Sequence, residues 1–202
     1  MDQAEPTSFA APFAALVLAA GLSRRSGARN KLLARVDGRP MVRRVAETVL
    51  EAGFRPVLAV TGHERGKIKA ALDGLPVDFV HNPDYADGMA SSIRHGTAAL
   101  DDDVAGVLVA LGDMPWVAAG TLEAMAAAFD AASGRDICRP VHAGKPGNPV
   151  LFGRRHFAAL GALAGDVGAK GVIAANPDAV VDVPVDDPGI QRDLDVVGPE
   201  TD

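Results

Sequence analysis

The chain has 202 residues, and 20 Lys and Arg against 26 Asp and Glu leave a formal charge of −6. An acidic balance excludes wholesale nucleic-acid binding, which relies on clustered basic side chains, and a hydrophobic content of 48% excludes a disordered chain. No apolar run is long enough for a membrane span, and a single cysteine, Cys138, excludes an intrachain disulfide. Alanine alone supplies 37 residues and only nine are aromatic, so the apolar content is mostly small side chains suited to close helix–sheet packing. Residues 1–12 carry no basic stretch of the secretory kind and read as a loose lead-in. Residues 13–202 read as one domain, and the expected compartment is the cytoplasm.

In chain order, 13–19 (FAALVLA) is a short apolar strand that runs straight into a glycine loop. Residues 40–52 are amphipathic, with Val42, Val45, Val49 and Ala52 at helical spacing and Gly53 as the stop. A strand at 56–61, a short helix at 64–72 and a short strand at 77–80 follow, then an Asn82-Pro83 turn. Residues 90–100 are a helix and 104–111 a second strongly apolar strand. Residues 121–132 predict a helix with Leu122, Met125, Phe129 and Ala132 on one face. Strands at 135–140, 149–152 and 180–185 and helices at 154–163 and 167–175 complete the pattern. Strands apolar on both faces, separated by helices, predict a three-layer α/β domain with a mostly parallel, Rossmann-like sheet. Ligands of such sheets sit beyond the carboxyl ends of the strands, which directs attention to the residues after Ala19 and Leu111.

The first of these loops, LAAGLSRRSGARNK, holds Gly21 and Gly27 and has Arg24, Arg25, Arg29, Lys31 and Arg35 between Gly21 and Val36 without an acid. That segment carries +5, so the remainder of the chain carries −6 − 5 = −11. A local positive loop on an acidic protein suits a polyphosphate, although charge alone also allows a solvated basic loop. The loop lacks both the GxGxxG and the GxxxxGK[ST] spacing. The second loop is Gly112-Asp113-Met114-Pro115. Its aspartate is either a magnesium carboxylate or a cap for the helix near Thr121.

These residues resemble MobA-like nucleotidyltransferases, and among them the molybdenum cofactor cytidylyltransferases. The resemblance rests on LAAGLSRRSGARNKLL and, in order along the chain, NPDYADGMASS (82–92), GDMP (112–115), GKPGNPVLF (144–152), GDVGAK (165–170) and DLD (193–195). It implies a nucleotide-diphospho-sugar transferase type of fold. It also implies a reaction in which the phosphate of a molybdopterin-type cofactor attacks the α-phosphorus of CTP and pyrophosphate leaves.

Carried over position by position, the resemblance makes Arg25, Lys31 and Asp113 catalytic. Leu18, Ala19, Ala20, Gly21, Ser23, Gly27, Asn82, Gly88, Ser92 and Gly112 would bind the nucleotide. Gly147, Asn148, Gly168 and Lys170 would line the acceptor side. Mg²⁺ is the implied cofactor, held by Asp113 and Asp195, with Asp193 in reserve; read as residues alone, the 193–195 pair could equally be surface acids. Ala20, where guanylyltransferase relatives have glycine, points to cytidine. Ser26 stands where the family has methionine, Lys170 where it has arginine, and VVGPETD departs from the family's tail. Ser91 and Ser92 read either as a helix N-cap or, for Ser92, as a reader of the cytosine edge. GDVGAK by itself is also a glycine turn and helix start. A client molybdoenzyme is the implied protein partner, with no nucleic acid and no membrane.

The remaining candidates carry less. His63, His81, His95, His142 and His156 form no HxxxH pair and none neighbours Cys138, so a zinc set is not expected. Cys138 reads as a buried strand residue and Trp116 as core packing, with a wall of the crevice as its alternative. The competing functions are the same chemistry with GTP or with a sugar or polyol phosphate, a dinucleotide oxidoreductase, which the missing GxGxxG disfavours, and a non-catalytic chaperone for the cofactor.

Overall fold

A computed structural model of the chain describes residues 12–22, 30–130, 133–165 and 168–193. The expected lead-in therefore lies almost wholly outside the described residues. Strand β1 (Phe13–Ala19) is buried at all seven positions. Its even and odd residues go to opposite faces: Phe13, Ala15, Val17 and Ala19 join one apolar cluster, and Ala14, Leu16 and Leu18 the other. A small antiparallel pair, β2 (Arg35–Val36) and β3 (Arg39–Pro40), precedes helix α1 (Met41–Glu51). Met41, Val42, Val45, Ala46, Val49 and Leu50 form the buried face of α1.

The chain continues through β4 (Val57–Thr61), α2 (Arg65–Ala71), β5 (Asp78–His81), α3 (Met89–Ala98) and β6 (Gly106–Leu111). Next come α4 (Ala119–Ala127), β7 (Ile137–His142), β8 (Lys145–Pro146), β9 (Val150–Gly153), α5 (Phe157–Gly161), α6 (Lys170–Ala175) and β10 (Val180–Pro184). The main sheet has the order β10-β7-β9-β6-β1-β4-β5, with β8 paired to β7. Among these strands β1, β4, β5 and β6 are mutually parallel, as are β7 and β10. The sheet is thus the mostly parallel, helix-covered sheet that the sequence predicts.

One strand departs from that pattern. β9 runs antiparallel to both β6 and β7. With β8 it forms the returning arm of a hairpin from β7, turned at Ala143 and Gly144, both at positive φ. Alanine-rich packing has a direct counterpart here: Gly96 on α3 lies so close to Leu16 and Val60 that a β-carbon would collide with the Leu16 methyls. Leu16 is fully buried, a burial worth about 1.5–3 kcal/mol.

Helices α4, α5 and α6 are shorter than expected, and α6 begins at Lys170 rather than 167. α4 ends at Ala127 rather than 132, because Asp130 pairs with Arg135 across a turn and its carboxylate accepts from Ser133 N at 3.1 Å. Phe129 keeps its core contact by meeting Phe13 edge-on at 4.8 Å. The stretch expected as a helix from 154 begins as a 3-10 turn (Arg154–His156), where buried His156 lies 3.0 Å from the buried carboxylate of Asp136.

Candidate active site

The carboxyl ends of β1, β4 and β6 meet at one edge of the sheet, and the two sequence-predicted loops lie there. The Gly112 amide donates to Leu18 O at 3.1 Å. A β-carbon on Gly112 would strike that same carbonyl, so glycine is required for this close approach. On the other side Asn30 caps the 3-10 turn Lys31–Leu33, its side-chain oxygen accepting from Leu32 N at 3.1 Å. Leu32 turns inward against Gly112, and Lys31 therefore projects toward the next residue. Lys31 Nζ donates to Asp113 Oδ2 at 2.7 Å, with each side chain 19% exposed. Two residues that the sequence marked independently, 82 positions apart, form one ion pair at the mouth of the sheet.

Leu18, Ala19 and Ala20 are buried, whereas Gly21 is exposed with nothing within 4 Å of where a β-carbon would lie. The backbone thus emerges from the sheet at Gly21 with open space beside it. Ser23, Arg25 and Gly27 lie outside the described residues, as do Asp195 and residues 166–167. Asp193 is described and exposed.

Beside this edge a polar network orders the start of α3. Asn82 is fully buried; its amide donates to Ser91 Oγ at 2.8 Å and Ser92 Oγ at 3.0 Å, and its oxygen accepts from Asp84 N at 2.9 Å. Both amide hydrogens of Asn82 are thus used inside the protein. The N-cap of α3 is Gly88, at φ 103°, and neither serine caps the helix by its side chain. Ser91 donates to the carbonyls of Asp84 or Gly88. The Ser92 proton has no acceptor among the described residues. Met89, exposed, packs against Gly168, where a β-carbon would lie 3.0 Å from its sulfur, and Gly168 adopts φ +58°. Lys170 opens α6 and is exposed.

On the far side, Asn148 N donates to Ile190 O at 2.9 Å, and Gly147 packs against the same carbonyl with no room for a β-carbon. The described residues contain no cluster of three His, Cys, Asp or Glu able to cage a metal. No described helix is long and apolar enough to cross a membrane.

The sequence profile of the MobA-like NTP transferase domain matches residues 15–194. The chain belongs to that family. The bifunctional protein GlmU of Sphingopyxis alaskensis is 33% identical over 144 residues, covering 71% of this chain and 31% of GlmU. The chain spans about a third of the length of the curated relatives it matches. Among solved structures, Rv0371c of Mycobacterium tuberculosis superposes with a TM-score of 0.79 at 27% identity, covering 93% of this chain and 94% of that one. Rv0371c in complex with manganese gives a TM-score of 0.67 at 25% identity, with 87% and 88% covered.

Several neighbours of the site were not singled out from the sequence as functional. His63 follows β4, its amide donates to Ala20 O at 3.2 Å, and its ring centre lies 6.1 Å from that of Tyr85. The strand-end rule would have flagged His63. Asp187 and Arg192 carried no such signal. Trp116 is a correction: it is half-buried beneath Arg192 rather than part of the core. Cys138 is fully buried in β7, and burial pushes its thiol up to about 12.

Proposed function

We infer that this chain transfers CMP from CTP to the phosphate of a molybdopterin-type acceptor. The Lys31–Asp113 pair, set beside the open backbone at Gly21, is the observation that carries this reading. An acceptor phosphate oxygen forms a bond to the α-phosphorus, the bond from that phosphorus to the β-phosphate bridge oxygen breaks, and pyrophosphate leaves with the electron pair. Such chemistry needs positioning and charge neutralisation rather than a covalent enzyme intermediate. Lys31 and, from the loop outside the described residues, Arg25 supply positive charge to the phosphates.

The donor set at Asp113 fits magnesium, which takes one or two carboxylates and completes its shell with substrate phosphates and water. One Asp113 oxygen faces Lys31, and the other has no partner among the described residues. Asp113, with Asp195 from the tail, would hold the ion, and the ion would neutralise phosphate charge. The manganese complex of Rv0371c supports a divalent cation in this fold.

The cytidine assignment rests on Ala20 and on the Ser92 hydroxyl at the head of α3, which can donate to an acceptor on the base edge. Gly147, Asn148, Gly168 and Lys170 line the acceptor side. The deciding experiment follows pyrophosphate release from CTP, GTP and ATP with purified pterin cofactor, glycerol phosphate and a sugar 1-phosphate as acceptors. Release only with CTP and the pterin is expected. GTP preference overturns the base assignment, a sugar phosphate product overturns the acceptor, and binding without release favours the chaperone reading.

A further inference from the structure

Trp116 stands three residues beyond Asp113, and the guanidinium carbon of Arg192 lies 3.7 Å from the centre of its ring. At that distance the guanidinium stacks on the indole, a cation–π contact that fixes the plane of the group without using its N–H donors. Arg43, Arg139, Arg154 and Arg155 donate to carboxylates. The backbone N–H of Arg192 donates to Gly189 O at 3.2 Å, whereas its guanidinium makes no hydrogen bond or ion pair among the described residues, so the five side-chain donors stay available to a ligand.

The stack is braced from both sides. Asp187 is buried, and its carboxylate accepts from Ala118 N at 2.9 Å, Thr121 Oγ1 at 2.7 Å and Gly189 N at 2.8 Å. Gly189 lies directly on the Trp116 carbonyl, where a β-carbon would not fit. Ile190 accepts from Asn148 N, and Gln191 Nε2 donates to the carbonyls of His142 at 2.9 Å and Lys145 at 2.8 Å. Indole and guanidinium therefore belong to one rigid unit between the Asp113 loop and the Gly147–Asn148 turn.

We propose that Arg192, held flat on Trp116, is the binding site for the phosphate of the acceptor, which is thereby a phosphomonoester. A planar guanidinium engages two phosphate oxygens at once, which a lysine ammonium does not. The proposal rests on the nucleotidyltransferase reading above and locates its acceptor.

Trp116 is the only tryptophan of the chain, so intrinsic emission reports on this site directly. The full chain is titrated with inorganic phosphate, glycerol 3-phosphate and acetate at constant ionic strength, with CTP binding followed separately by calorimetry. Both phosphates are expected to change the emission saturably. Arg192→Ala should abolish the change and Arg192→Lys weaken it at least tenfold, while both variants bind CTP within twofold of wild type. An unchanged midpoint in Arg192→Ala, an equal response to acetate, or no response in a wild-type chain that binds CTP overturns the proposal. Failure of the wild type to bind any nucleoside triphosphate sinks the transferase reading instead, and the phosphate titration still decides the Arg192 site.

Discussion

Lys31 and Asp113 illustrate how far single residues can be read. Each follows a strand end in a motif of its own, and the parallel sheet brings those ends together. Their shared place at the strand exits was legible for that reason, although the ion pair itself was not. Lys31→Ala and Asp113→Ala are each expected to lower kcat by about 10²–10³-fold, with circular dichroism spectra like the wild type; near-normal turnover in both removes the pair from the chemistry. Asp187 shows the opposite case. It is one of 26 acids, and nothing local distinguishes a carboxylate that latches two loops from one that faces water. Cys138 gives an independent check on burial. Its thiol, raised from 9.0 to about 12 chiefly by desolvation, should resist thiol reagents at pH 8 in the native chain and react on unfolding. The sign follows from linkage: the unfolded chain releases this proton above pH 9.0 while the folded chain keeps it to about 12, so stability falls across that window. A Cys138→Ala variant should lose that part of the alkaline decline.

At the level of elements, apolar runs and glycine stops located nearly every strand and helix, since burial on both faces of a strand leaves a plain compositional trace. Direction leaves none. The sequence of β9 is as apolar as that of a parallel strand, and only its pairing to β6 and β7 reveals the reversal. The end of α4 was likewise hidden, because Asp130 stops it through a side-chain bond rather than through a glycine or proline. The latch between the 187–191 turn and α4 makes a prediction at this scale. Asp187→Ala removes the acceptor for Ala118 N, Thr121 Oγ1 and Gly189 N together. It should cost about 2–3 kcal/mol, or about 4–12 °C in Tm by calorimetry. Asp187→Asn, which retains one acceptor oxygen, should recover part of that loss.

For the whole molecule, the two apolar clusters on opposite faces of the sheet share β1, so the candidate site edge grows out of a strand buried along its whole length. A ligand gripped there stabilises the entire fold. CTP at about 100 times its Kd should add about 2.7 kcal/mol and raise Tm by about 5–10 °C. The separation of +5 from −11 along the chain adds a salt dependence: CTP affinity should fall several-fold between about 50 and 300 mM NaCl, over which range screening shortens from ~14 to ~6 Å. A flat response in titration calorimetry argues against the basic loop as the polyphosphate grip. The hairpin from β7 to β9 has a consequence of another kind. Its exposed tip at Ala143 and Gly144 lies beyond the strand exits, and the anchors at Gly147, Asn148 and Gln191 sit behind it. Residues can be added or removed at that tip without shifting any exit loop of β1, β4 or β6. On the proposed reading, changes of loop length at this tip would reshape the acceptor side and leave the Lys31–Asp113 end in place.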